Sequence, residues 1–177
     1  AILLSDKGTN LTFDLTGRQA IADTGMLQKS GVWSNLPAGE AYIAPLEGKT
    51  NGTLVIDGMM AGIGLLKSPI FATFRNGKIT KLSGGEETLM LEKILSESDM
   101  NANSIAELGV GTNRKASLMG SILVDEKVFG TVHVAIGNNQ FFGGLQPSKI
   151  HLDGVLLEPT LILDGKTVIE RGQHVWL

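Results

Sequence analysis

The chain reads as an α+β protein in which antiparallel β-sheet dominates, and three observations predict it. Asn76-Gly77 and Asp164-Gly165 each join two strand-like runs, and such turns connect neighbouring antiparallel strands. The 23 glycines break 177 residues into apolar runs of strand length. One stretch alone, Glu86 to Glu97, carries a clear helical period.

Taken in order, the chain opens on an apolar run, Ala1 to Leu4, and continues through strand-like runs at Leu11 to Leu15, Ala41 to Ala44, Thr53 to Ile56 and Ile70 to Phe74. Asn76-Gly77 then pairs Phe71 to Arg75 with Lys78 to Leu82, because a type I′ turn needs positive φ at both central residues. In the helix Glu86 to Glu97, Leu89, Leu91, Ile94 and Leu95 form the apolar face, and acidic residues open the first turn favourably against the dipole. A shorter helix is expected after Gly111 to Ser117. Strands follow at Val128 to Ile136, Lys149 to Leu152 and Thr160 to Leu163, and Asp164-Gly165 turns the last of these into Lys166 to Glu170. The sheet can curl toward a barrel, with helices covering one edge. No internal repeat, low-complexity tract or linker interrupts this pattern.

Composition narrows the chemistry. At this length the chain is expected to form one domain that buries a core without disulfides. It has no cysteine, which excludes thiolate zinc sites, iron-sulfur clusters and cysteine nucleophiles, and leaves His, Asp and Glu as the strong ligands. With 15 Lys plus Arg against 18 Asp plus Glu, scattered along the chain, nucleic-acid binding has little electrostatic support. Apolar stretches such as Met59 to Leu66 fall short of the roughly 20 residues of a spanning helix. No basic region precedes a sustained apolar run at the start, so no secretory signal is read there and a cytoplasmic protein is expected. The chain begins at Ala1 rather than Met, as a fragment would.

Two of the three histidines lie within Gly130 to Gly154. His151 and Asp153 are two residues apart, so in a strand they share a face and present an imidazole nitrogen and a carboxylate to one point. In Thr131-Val-His-Val-Ala-Ile136, alternation puts Val132, Val134 and Ile136 on one face and His133 on the other, either as a ligand or as a polar residue on a solvated sheet. Glu40 approaches the mouth of a strand after a turn-rich segment. Glu107 is flanked by apolar residues, and a buried glutamate must be paired or metal-bound. Glu126, within Asp125-Glu-Lys127, is a weaker candidate, since most such triplets are solvated turns. His174 reads as a surface or capping residue. Gly109-Val-Gly-Thr-Asn113 and Gly143-Gly144 read as tight turns that let backbone approach a site, and no Walker loop, His-Glu-x-x-His helix or Gly-x-Ser-x-Gly elbow is found.

Four ordered segments, Asn35-Leu-Pro-Ala-Gly-Glu40, Ala106-Glu-Leu-Gly-Val-Gly-Thr-Asn113, Asp125-Glu126 ahead of Gly130-Thr-Val-His-Val-Ala-Ile-Gly137, and Ile150-His-Leu-Asp153, resemble the thermophilic metallo-aminopeptidase family over about residues 8 to 165. The resemblance implies a pair of divalent ions (Zn, Co or Mn) held by Glu40, Glu107, His133, His151 and Asp153, with Glu126 as a companion. It also implies a C-terminal metal-bearing domain that lacks the family's N-terminal α/β domain, a homodimer, and peptide substrates with a free N-terminus. Glu107 or Glu40 would act as general base on a metal-bridging water. One position departs from the family: its aminopeptidases carry a tyrosine seven residues after the match to His133, where this chain has Gln140 followed by Phe141 and Phe142. Tyr42, the only tyrosine, sits elsewhere in the sequence.

Two alternatives accompany that expectation. The same broad superfamily is similar to dihydroxypyridine dioxygenases, in which His133, His151 and Asp153 would hold a single ferrous ion. The chain could also be a metal-binding fragment that is inactive without its missing domain.

Overall fold

Asn76 and Gly77 take φ values of 48° and 75°, and Asp164 and Gly165 take 46° and 78°. Paired positive values are what a two-residue type I′ hairpin requires. Both hairpins form, with Arg75 opposite Lys78 and Leu163 opposite Lys166. The structure is a computed structural model and describes residues 1–175.

In chain order the strands are β1 (Ile2–Leu4), β2 (Asn10–Thr12), β3 (Ile21–Asp23), β4 (Glu40–Ile43), β5 (Asn51–Ile56), β6 (Met59–Met60), β7 (Gly64–Leu65), β8 (Ile70–Arg75) and β9 (Lys78–Gly84). The helix α1 (Glu86–Ser96) follows, then β10 (Ile105–Gly111), the short helix α2 (Ile122–Asp125) and β11 (Val132–Gly137). The chain continues through β12 (His151–Leu156), β13 (Thr160–Leu163), β14 (Lys166–Glu170) and β15 (Gln173–His174). One sheet runs β15-β14-β13-β1-β2-β5-β8-β9 and the other β3-β4-β10-β11-β12-β6-β7. The ladders between these strands are antiparallel.

Neither row of strands closes, so the sheet does not curl into a barrel. The reason lies in the core. Leu3, Leu11, Leu54, Phe74 and Leu161 from the first sheet and Leu108, Val132, Val134, Ile136 and Leu156 from the second belong to one buried cluster. Two sheets that bury their inner faces against each other have no apolar face left for closure to cover.

The helix α1 spans nearly the expected residues and turns most of the expected face inward, with Leu91 in the core, Leu95 packed against it and Ile94 half-buried, but not Leu89. Leu91 is buried, whereas Leu89 is 65% exposed. At 100° per residue Leu89 points almost opposite to Leu91, and the buried line runs through Glu87, Thr88 and Leu91. Glu87 earns its burial by accepting hydrogen bonds from the Lys67 amide and the Ser68 hydroxyl. The strand expected from Val128 begins at Val132, because Val128 to Thr131 form a turn in which the Thr131 amide donates to the Val128 carbonyl.

Candidate metal centre

The second sheet buries one face in the core and uses its other face for the site. Four adjacent strands, β4, β10, β11 and β12, each contribute. On β11, Val132, Val134 and Ile136 join the core while His133 and Ala135 face away, as alternation predicts. His151 and Asp153 of β12 lie on that same outer face, and Leu152 packs against the core. On β10, the register shifts between Ile105 and Glu107. This irregularity aims Glu107 beside the histidines, the kind of redirection that bulges supply near functional sites. Glu40 opens β4 opposite Gly111.

Small residues make room for the large ones. Gly109 sits across from Tyr42 on one side and His133 on the other. Ala135 sits between Glu107 and Asp153.

Two groups of donor atoms come together here, Glu40 with Glu107 and His133, and Glu107 with His151 and Asp153. Glu107 joins them. Its Oε1 lies 3.2 Å from His133 Nε2, and its Oε2 lies 3.5 Å from His151 Nε2. His151 Nε2 is also 3.5 Å from Asp153 Oδ1. On its far side, His151 Nδ1 is 2.7 Å from the Asn138 carbonyl oxygen. That oxygen only accepts, so Nδ1 carries a proton and donates it, which turns Nε2 toward the cluster as the atom that would bind a metal once its own proton is displaced. Metal-bound histidines characteristically show this second hydrogen bond. His133 differs, because its Nε2 lies between Glu107 and Glu40 Oε2, the latter at 3.3 Å, while its buried Nδ1 meets no hydrogen-bond partner among the described residues.

Glu126 and Lys127 correct the solvated-turn reading of their triplet. Asp125, Glu126 and Lys127 are all buried. The Asp125 carboxylate accepts hydrogen bonds from the Met119 and Gly120 amides, both at 2.8 Å, which fixes the turn leading into α2. The chain beyond α2 is thereby directed inward. Lys127 Nζ, fully buried, pairs with Glu40 Oε1 at 2.9 Å and with Glu126 Oε1. Sequence reasoning missed this lysine, and the one signal for it was its place beside two candidate carboxylates. Tyr42 was missed too. It lines the cleft above the cluster and meets Phe142 edge-on at 5.6 Å, and Phe142 meets the His151 ring in the same way. Gln140 is exposed, whereas Phe142 forms a cleft wall. His174 lies apart from the cluster, stacked on Phe129 with ring centres 4.1 Å apart.

The electrostatics ask for a cation. Four carboxylates, from Glu40, Glu107, Glu126 and Asp153, share one lysine ammonium in a largely buried space. Burial raises the pKa of Glu107, offset by the hydrogen bond from His133 and reinforced by the charge of Asp153. Burial, then Asp153 and Glu40, push Glu126 up to about 7. Burial disfavours the imidazolium of His133, yet the hydrogen bond and charge of Glu107, with Asp153 and Glu40, raise it to about 9. For His151, burial is likewise outweighed by Asp153, Glu107 and the Asn138 carbonyl, giving about 9. Excess carboxylate charge is thus holding protons on both rings, and a divalent cation would displace them. An oxygen and imidazole donor set of this kind fits iron as well as zinc, cobalt or manganese.

A family model for 2,5-dihydroxypyridine 5,6-dioxygenase matches residues 2–176. The chain belongs to that family. A curated relative, the 2,5-dihydroxypyridine 5,6-dioxygenase of Pseudomonas putida KT2440, is 26% identical over 184 residues, covering 97% of this chain and 53% of the relative. The solved structure of the 2,5-dihydroxypyridine dioxygenase from Pseudomonas putida KT2440 has a TM-score of 0.90 at 23% identity, covering 98% of this chain and 54% of that one. AmpT from Thermus thermophilus has a TM-score of 0.71 at 23% identity, covering 98% of this chain and 49% of that one. These structural likenesses show a shared fold. The chain spans about half the length of each of these relatives.

The aminopeptidase expectation is corrected by that family match. Peptidase and hydrolase activity and a pair of Zn, Co or Mn ions go with it. The motifs misled because they report a scaffold that the two structural relatives share. Lys127 takes up one oxygen of Glu40. No helix among the described residues is long and apolar enough to cross a membrane.

Proposed function

We propose that this chain carries the metal centre of a mononuclear non-haem iron dioxygenase that opens a dihydroxylated pyridine ring. The observation that carries this reading is the family match over residues 2–176. The geometry agrees with it. Glu107, His151 and Asp153 are the ligands we assign, because their donor atoms converge and Nε2 of His151 is directed at them. A ferrous ion held there would supply a redox centre with open positions for dioxygen and substrate.

The chain's own residues do the rest. His133 braces Glu107 from behind, and Asn138 sets the tautomer of His151. The cleft above has a volume of about 250 Å³, with Tyr42, Phe142, Ile122 and Leu123 among its walls. That is at the small end of ligand pockets and suits a single planar ring. Burial, then the charges of Glu107 and Glu40, hold the Tyr42 hydroxyl above its ordinary pKa, so it stays protonated and can donate a hydrogen bond to a ring substituent.

The test is oxygen uptake by the iron-loaded protein with 2,5-dihydroxypyridine. Consumption of one dioxygen per ring, with loss of ring absorbance, is expected. No uptake, together with release of amino acids from peptides by the zinc-, cobalt- or manganese-loaded protein, would overturn the reading.

A further inference from the structure

The fully buried Lys127 is the least expected charge in the molecule, since lysine is seldom enclosed unless it is paired. Its ammonium has two carboxylate partners, Glu40 Oε1 at 2.9 Å and Glu126 Oε1. The other oxygen of Glu40 faces His133 Nε2 at 3.3 Å. Both oxygens of Glu40 are therefore occupied, one by an ammonium and one by an imidazole. By contrast, Glu107 Oε2 and Asp153 Oδ1 each stand 3.5 Å from His151 Nε2, with no lysine or arginine salt-bridged to them among the described residues.

The acidic face thus divides into a half already neutralised from within and a half left open. The neutralised half still contains a competent donor set, Glu40, Glu107 and His133. What stands between that set and a second cation is the ammonium of Lys127. Two positive centres sharing Glu40 would repel each other strongly in a buried, low-dielectric space.

We propose that Lys127 is a built-in countercation that reserves Glu40 and Glu126 and so limits this site to one metal ion. This rests on the single-ion reading above and adds the residue that enforces it. Lys127 is a positioning residue. It touches neither of the two open ligands, His151 and Asp153, and acts through Glu40. The neutral Lys127→Met variant keeps most of the side-chain volume and removes the charge. The Glu40, Glu107 and His133 set would then be free to take a second divalent ion.

The experiment is calorimetric titration of the whole chain with Mn²⁺, with electron paramagnetic resonance to report spin coupling between neighbouring ions. The parent is expected to saturate at one Mn²⁺ per chain, and Lys127→Met at two, with a coupled signal. Lys127→Arg, which keeps the charge, should stay at one. Should Lys127→Met fail to fold because it strands Glu126, Lys127→Met with Glu126→Gln removes that unpaired charge and is likewise expected to take two. A parent that binds one ion beside folded variants that also bind one would overturn the role of Lys127 while leaving the single-ion reading intact. A parent that binds two would overturn both.

Discussion

Gly109 lies directly across the ladder from His133, and a Cβ on it would stand 1.8 Å from His133 Nε2. The glycine is there to admit the imidazole, not to make a turn. Gly109→Ala should therefore displace the ring or force the strands apart. A loss of about 1–3 kcal/mol in chemical denaturation is expected for overpacking of this kind. An unchanged denaturation midpoint would contradict the assigned packing.

His151 and Asp153 should matter most for metal affinity. Each Ala substitution is expected to weaken Fe²⁺ binding by more than 100-fold, because it removes a ligand. His133→Ala should weaken binding by about 10- to 100-fold, the range for a group that acts by holding a ligand in place. Anaerobic equilibrium dialysis separates these outcomes. Equal losses at all three positions would place His133 among the ligands instead.

Asp125 supports the site from a distance. Its buried carboxylate satisfies the Met119 and Gly120 amides ahead of α2, and that turn leads directly to Glu126 and Lys127. Asp125→Ala should cost about 1.5–3 kcal/mol in thermal or chemical unfolding, the usual worth of a hydrogen bond to a charged group. A variant as stable as the parent would show that α2 is held by other contacts.

The cleft wall that carries Phe142 should loosen in acid. Glu47 accepts hydrogen bonds from Asn139 Nδ2 at 2.9 Å and from the Leu145 amide at 2.8 Å, and it pairs with Arg18, which also donates to the Gly143 carbonyl. Burial alone would raise the Glu47 pKa, but these hydrogen bonds and the Arg18 charge bring it below the ordinary value. A carboxyl depressed in the folded state stabilises fully above its unfolded pKa, about 4.3, and this support is lost as pH falls through the lower folded value. Hydrogen exchange at Leu145 should accelerate, relative to the rest of the sheet, as pH drops below about 4. Glu47→Gln should show the faster exchange already at neutral pH. The same exchange rate in parent and variant at neutral pH would remove Glu47 from this role.

Much of the sheet was legible because its signals are local. Asn76-Gly77 and Asp164-Gly165 specify their turns through their own φ preferences, and the alternation around His133 places three apolar residues in the core wherever the strand lies. The facing of His151 with Asp153 follows from a period of two. Lys127 could not be read in the same way, because nothing within its own turn reveals that Glu40, 87 residues earlier, will stand 2.9 Å from its ammonium. Tyr42 is far from Gln140 along the chain and so is not legible as part of the site, whereas β4 and the segment bearing Phe142 meet over the cluster. At Leu89 the helix departs from the expected face because several leucines fall close together, and the buried line includes Thr88 and Glu87, whose carboxylate is satisfied by Lys67 and Ser68 from an earlier part of the chain. The aminopeptidase expectation failed for a related reason. Motif order reports the scaffold, and this chain shares its fold with AmpT as well as with the dioxygenase.

The measurement that reaches the centre most directly is elemental analysis of protein purified without added metal or chelator, normalised to chain concentration and repeated on Asp153→Ala. One iron per chain in the parent and almost none in the variant is the expected result. Two equivalents of zinc, cobalt or manganese, or iron that persists in Asp153→Ala, would contradict a single ferrous ion held by Glu107, His151 and Asp153.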